Sequence, residues 1–259
     1  MRLVAAIEYD GSGFAGWQRQ GHARTVQEAV ERALSKVAAA PVAVVCAGRT
    51  DAGVHATQQI IHFDTDAERP LRAWLMGGNS NLPDAVRLLW VKPAAEDFHA
   101  RFGATSRGYR YVIASKPVRP ALNRYRAAWT YRELDAERMQ QAGRCLLGEH
   151  DFTSFRAMAC QARHAVREVR RLQVERQGDY IYLDIEANAF LHHMVRNIAG
   201  VLMTIGSGDR PVEWASEVLA ARDRSRGGVT AAPEGLYMVK VVYPPRHGLP
   251  EQGELPVFA

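Results

Sequence analysis

The chain has 259 residues, 47% hydrophobic and 24% charged, enough apolar material for one large or two modest domains, which excludes a mainly disordered chain. Its 33 basic and 28 acidic residues leave a formal charge of +5, a mild excess, so the placement of charge matters more than its sum. The three cysteines, Cys46, Cys145 and Cys160, are odd in number and form no CxxC pair, which argues against a disulfide framework or a zinc site and fits a reducing cytoplasm.

In chain order, the first apolar run is short and ends in Glu8 and Asp10, so residues 3–9 read as a strand and not as a signal peptide. A glycine-rich turn follows at 10–13. Thr25, with Glu28 three positions on, predicts a capping box that opens a helix to about residue 38, broken by Pro41. Short strands are expected at 42–46 and 59–64, with a loop at 47–56 between them, then a helix at 71–78 and an extended segment at 86–91. The second half reads as a strand at 109–115, an amphipathic helix at 134–147 and a hairpin of 168–174 with 180–186 around Gly178-Asp179. It continues with a helix at 191–205 ended by Gly206, a helix at 211–221 and a last strand at 235–242. Few strict parallel βαβ units appear, so the fold class is α+β with a largely antiparallel sheet. The expected division is a first half at 1–105 and a second at 106–259. No apolar stretch approaches the ~20 residues that a membrane span needs, and a soluble, cytoplasmic protein is expected.

Basic residues cluster. Between 105 and 126 stand Arg107, Arg110, Lys116, Arg119, Arg124 and Arg126 with no acidic residue, and between 156 and 176 stand six arginines against Glu168 and Glu175. Such local excess fits a polyanion partner, or two solvated faces. In 107–111 arginine alternates with tyrosine. On a strand Arg110 points away from Tyr109 and Tyr111, leaving tyrosines to stack on bases and arginines to reach phosphates, unless the segment is an ordinary aromatic strand.

The loop Ala47-Gly-Arg-Thr-Asp-Ala-Gly-Val-His-Ala56 is the most informative stretch. Arg49 and Asp51 stand between Gly48 and Gly53, with His55 close behind, and glycines let a backbone approach a ligand. From residue types alone, Asp51 reads as a nucleophile, a general base, a metal ligand or a plain turn residue. A hydrolytic metal centre built from Asp51, His55, His62, Asp64 and His99 is a rival, although the spacing matches no metal motif. On the 191–205 helix, Leu191, Met194, Val195, Ile198, Leu202 and Ile205 form an apolar stripe opposite His192, His193, Arg196, Asn197 and Gly200. That polar face is either solvated or, through Arg196 and the small Gly200, able to approach another backbone or a buried carboxylate.

Several blocks then carry a family resemblance: Glu8-Tyr-Asp-Gly11 with Gly16-Trp-Gln18, the 47–55 loop, Asp97-Phe-His-Ala-Arg-Phe102, and Tyr109-Arg-Tyr111. The others are Gly148-Glu-His-Asp-Phe-Thr-Ser-Phe155, Phe190-Leu-His-His-Met-Val-Arg-Asn197 and Glu234-Gly-Leu-Tyr237. In order over nearly the whole chain, they resemble the bacterial tRNA pseudouridine synthase A family. The resemblance implies a pseudouridine synthase fold of two related α/β halves around a central, largely antiparallel sheet. It implies an isomerase that acts on uridines 38–40 of the tRNA anticodon stem-loop, as a homodimer, with no metal and no cofactor. The family's catalytic aspartate falls on Asp51, its base-flipping arginine on Arg49, its active-site tyrosine on Tyr109, and the arginine that pairs with the aspartate on Arg196. Arg107, Arg110 and His55 complete the expected substrate contacts. Gly108 stands where relatives often carry a basic residue, which removes one possible phosphate contact. A non-catalytic RNA-binding protein on the same fold is the remaining rival.

Overall fold

A computed structural model describes residues 1–250 and 253–258. The chain divides into two compact units, Met1–Thr105 with Tyr237–Leu255, and Ser106–Leu236 with Pro256–Ala259.

The first unit begins with β1 (Arg2–Tyr9), α1 (Val26–Ala38), β2 (Val45–Cys46), β3 (His55–Asp64), α2 (Leu71–Asn81) and β4 (Val86–Pro93). β1 runs antiparallel to both β3 and β4, with Ala5 opposite Ile61 on one side and Val91 on the other. A strand with neighbours on both edges and cover on both faces reads as a continuous apolar run, and Leu3 to Ile7 are all buried. α1 buries Val26, Ala29, Val30, Ala33 and Leu34 on the stripe that its 3.6-residue period predicts.

The second unit comprises β5 (Ser106–Ser115), β6 (Ala128–Thr130), α3 (Ala136–Gly143), β7 (Gly148–Asp151), β8 (Val166–Gln177), β9 (Tyr180–Ala187), α4 (Met194–Gly206) and α5 (Trp214–Ala221). β5, β9, β8 and β7 pair antiparallel in that order, and β6 lies parallel to β5. The β8–β9 hairpin turns at Gly178, whose φ of 58° suits a residue without Cβ. The chain then returns to the first unit through β10 (Leu236–Val242), which pairs parallel to β3 with Tyr237 opposite His55. Residues 237–255, read above as part of the second half, group with the first because their pairing partner is β3, remote in sequence. Both units join helices to a largely antiparallel sheet, the α+β class expected. Among the described residues, no helix is long and apolar enough to cross a membrane.

Several local expectations are corrected. Thr25 precedes α1 but makes no capping bond, and its buried Oγ1 has no hydrogen-bond partner, so the capping box does not form. The strand expected at 42–46 shrinks to two residues. Val42 N–H donates to Ser35 Oγ (2.8 Å) and Val44 N–H to Glu31 Oε1 (3.1 Å), so α1 side chains take the bonds that a ladder would need. α4 starts at Met194 because His193 adopts φ 61°, and Gly206 is its last helical residue. Asn197 and Gly200 are buried, not solvated. A Cβ on Gly200 would lie 1.9 Å from Val229 O, so the close approach that this glycine permits is to the 229–231 segment of its own unit.

His62 on β3 accepts the Ala100 N–H at Nδ1 (3.1 Å) and is 4% exposed. Burial, helped by the Arg2 charge, pushes its pKa down to about 4. A histidine held neutral in the fold contributes stability that is present above its unfolded value of about 6.5 and is lost as pH falls towards 4, at most about 3 kcal/mol. Denaturant titrations should show stability declining across that window, and His62→Asn, whose carbonyl oxygen can accept the same N–H without titrating, should flatten the decline. An equally steep decline in the variant would remove His62 as the cause.

Candidate active site

Because β3 starts at His55, an irregular loop spans 47–54 between β2 and β3. A buried irregular backbone needs its hydrogen bonds from elsewhere, and this loop receives them on both sides. Ala47 N–H donates to Ile60 O (2.8 Å). The Gln59 carboxamide, fully buried on β3, donates Nε2–H to Gly48 O (2.5 Å) and accepts the Gly48 N–H at Oε1 (3.4 Å). Thr50 O accepts the Trp17 N–H (3.0 Å), and the Thr50 and Tyr9 hydroxyls lie 2.8 Å apart. Gly53 N–H reaches Phe14 O (3.4 Å), and Val54 N–H closes the turn onto Asp51 O (3.2 Å).

The segment 10–17 lies against this loop backbone to backbone. A Cβ on Gly11 would sit 1.9 Å from Val54 O. One on Gly16, at φ +94°, would sit 2.9 Å from Thr50 O and 3.1 Å from Asp51 C. Two glycines thus allow a contact that no other residue fits. The result places Arg49 exposed at the surface and Asp51 half-buried two residues on.

His55 has a different place from the one expected of a substrate contact. It is 2% exposed, its ring stacks on Tyr237 (centroids 4.6 Å, 20°), and its Nδ1 accepts the Gly11 N–H (3.0 Å) and lies 3.3 Å from Asp10 Oδ1. With His55 beside it and the Ser12 N–H also bonded, the Asp10 carboxyl is held far below the usual carboxylate range. His55 therefore anchors the end of the loop to the 10–13 turn. His62, His99 and Asp64 of the rival metal set are likewise committed to internal bonds. The His62 Nδ1 accepts the Ala100 N–H, the His99 Nδ1 accepts the N–H groups of Arg101 and Phe102 (both 3.1 Å), and Asp64 is paired with Arg2 through both oxygens (2.8 Å each).

In the second unit, Tyr109 is 9% exposed and meets Phe190 edge to face (5.0 Å, 85°). Tyr111 is fully buried, and its hydroxyl donates to Ala232 O (2.7 Å), so it is core and not a stacking surface. Arg110 is likewise turned inward. It forms a bidentate pair with Asp184, its cross-strand neighbour (2.8 and 2.7 Å), and lies over the Tyr182 ring (4.9 Å), an internal tie and not the RNA contact expected. Arg107 is partly buried and donates to Asn188 O (3.1 Å). Arg196 is oriented by Nε–H donation to Ala231 O (2.8 Å), while Ala231 N–H returns to Arg196 O (3.1 Å). In the basic stretches, Lys116 pairs with Asp179, Arg119 with Glu234 and Arg170 with Glu168, while Arg124 and Arg126 flank the exposed Tyr125.

Residue-type reasoning missed Gln59 and Tyr9. Both are polar groups inside apolar strands, and only the Glu8–Gly11 block, matched without a role for Tyr9, marked the neighbourhood. The glycine contact supplies a direct test. In Gly16→Ala the left-handed φ alone costs roughly 1–3 kcal/mol, and the methyl group pushes on the carbonyl of Thr50. Thermal unfolding should move down and turnover should fall further than the loss of folded protein accounts for. Wild-type turnover in a folded Gly16→Ala would show that the loop tolerates displacement.

Comparison with known proteins agrees with the pattern of motifs. The sequence profile of the family described as tRNA pseudouridine synthase matches residues 5–103 and 142–244. The chain is 57% identical to the tRNA pseudouridine synthase A of Pseudomonas aeruginosa over 252 residues, covering 97% of this chain and 88% of that protein. It is 55% identical to the protein of that name from Legionella pneumophila, covering 100% and 98%, and 56% identical to the one from Methylococcus capsulatus, covering 96% and 92%. With a profile match in both units and relatives aligned end to end, this chain belongs to the tRNA pseudouridine synthase family, a family of pseudouridine-forming isomerases.

Proposed function

We propose that this chain isomerises uridine to pseudouridine at positions 38–40 of the tRNA anticodon stem-loop, with Asp51 as nucleophile, acting as a cytoplasmic homodimer without metal or cofactor. The observation that carries the reading is the 47–54 loop: a half-buried carboxylate and an exposed arginine on a backbone held from both sides. The choice of 38–40 and the dimer rest on the motif resemblance.

The chemistry needs little more than placement. The C1′–N1 bond breaks, the uracil turns, and C5 bonds to C1′. C5 loses a proton and N1 gains one, so atoms and charge balance with no oxidant and no water consumed. A carboxylate is the nucleophile that opens this sequence. The target base is stacked in a stem and must leave it, and the exposed Arg49 fills the gap. Tyr109 offers the face of its ring to the uracil and assists removal of the C5 proton. Arg196, its plane set by Ala231 O, supplies positive charge that keeps a catalytic carboxylate ionised. Arg107, with the exposed Arg124 and Arg126, meets the phosphate backbone.

Asp51→Asn should abolish pseudouridine formation on a uridine-containing tRNA while leaving tRNA affinity close to wild type. Residual turnover within about tenfold of wild type, roughly 1.4 kcal/mol, would remove Asp51 as nucleophile. Loss of affinity with unchanged turnover would favour a phosphate-holding role.

If Arg49 supports the flipped base, Arg49→Ala should slow modification of a uridine paired in a stem far more than that of an unpaired uridine in a loop. Equal losses on the two substrates would assign Arg49 to some other task.

A further inference from the structure

Gln59 is an amide side chain with no exposure to solvent, in a strand whose neighbours Ile60 and Ile61 are core residues. A buried amide is costly unless all its polar atoms are bonded. Here both ends are used on one residue: Nε2–H donates to Gly48 O and Oε1 accepts the Gly48 N–H. Gly48 immediately precedes Arg49. On the other side of Arg49, Thr50 is bonded through its hydroxyl to the buried Tyr9 hydroxyl and through its carbonyl to Trp17 N–H. The Gln59, Tyr9 and Thr50 side chains are all buried. The residue that carries the exposed guanidinium is therefore flanked by two anchored residues, Gly48 held by Gln59 and Thr50 held by Tyr9.

We infer that Gln59 and Tyr9 are positioning residues for pseudouridine formation, holding Gly48 and Thr50 on either side of Arg49 so that the Arg49 and Asp51 side chains leave the loop in one geometry. This rests on the reading that the 47–54 loop carries the chemistry. Misplacement by about 1 Å costs up to roughly a hundredfold in rate, and an interaction that matters only at the transition state lowers kcat and leaves KM alone. A residue that merely stabilised the fold would lower the melting temperature and leave kcat per folded molecule unchanged.

The substitution that separates the two is Gln59→Glu. Its ionised form keeps an acceptor for the Gly48 N–H but turns a second oxygen on Gly48 O, so the clamp opens. Its protonated form donates O–H to Gly48 O and restores both bonds. Burial raises a carboxyl group, to as much as about 8–9, so protonation falls within a workable range. The titratable neighbours do not interfere: burial pushes Cys46 on β2 up to about 12 and raises Tyr9 on β1. Arg49 and Asp51 are common to variant and wild type, and the ratio of their rates cancels what they contribute.

The experiment measures kcat and KM on a uridine-containing tRNA, with melting temperature, for wild type, Gln59→Glu, Gln59→Met and Tyr9→Phe as pH is lowered from alkaline to mildly acidic. We expect Gln59→Met to lose about ten- to a hundredfold in kcat with little change in KM, and Tyr9→Phe to move the same way by less. The kcat of Gln59→Glu relative to wild type should climb as pH falls. A flat or falling ratio would overturn the inference, as would a lower melting temperature with wild-type kcat in the folded variants. If Gln59→Met does not fold, Gln59→Glu and Tyr9→Phe decide. An active Asp51→Asn would defeat the reading of the nucleophile, whereas a pH-independent Gln59→Glu beside an inactive Asp51→Asn would defeat the positioning role alone.

Discussion

A peptide group in an irregular loop has no ladder to bond to, and if it is buried and unmade it costs about 1–3 kcal/mol. The 47–54 loop meets that demand with groups borrowed from β1, β3 and the 10–17 segment, and the rest of the first unit is arranged to bring them there. β1 sits centrally between β3 and β4, which puts the Tyr9 hydroxyl on Thr50, and β3 puts Gln59 on Gly48. Segment 10–17 has to lie within backbone contact, and this is the physical requirement that Gly11 and Gly16 satisfy. The loop is thus irregular in conformation but held at nearly every second residue, which is what a group meant to meet a substrate in one orientation requires.

The second unit uses its polar side chains in the same internal way before it offers any outward. Asn197, buried on α4, donates to Phe155 O (2.8 Å) and accepts from Thr230 Oγ1 (2.7 Å) and Arg224 (3.1 Å), which locks the 224–230 segment against the helix. Gly200 allows that same segment to lie on the helix backbone, and Ala231 exchanges bonds with Arg196. In the part-buried Arg110–Asp184 pair the guanidinium is bonded bidentately, lies over Tyr182 and donates to Pro256 O, which offsets its desolvation. The positive charge of Arg110 is therefore spent inside the unit, and a count of arginines along the sequence overstates what faces a polyanion.

Most elements were legible because periodicity reports burial. The run at 3–9, the helix reaching residue 38 and the hairpin at Gly178 all appeared where expected. The failures share a cause. Thr25 has the residue type for a cap, yet its hydroxyl is buried without a bond. Residues 42–44 alternate like a strand, yet Ser35 and Glu31 capture their N–H groups. Arg110 and His55 have the residue types of substrate contacts, yet Asp184 and the Gly11 backbone claim them. For Arg110 and His55 a polar group took a partner remote in the chain, and residue type does not encode that choice.

The sequence alone determined the α+β class, the main helices and strands and, through the ordered motif blocks, the family and the loop that holds Arg49 and Asp51. These follow from short-range signals: periodicity, turn chemistry and contiguous residue strings. Only the tertiary structure decided that β10 returns to β3, that Gly200 meets Val229, and that Gln59 and Tyr9 hold the peptides beside Arg49. Those contacts depend on how buried polar groups find their hydrogen-bond partners in the folded chain, and nothing in the local pattern of residues states where that partner will be.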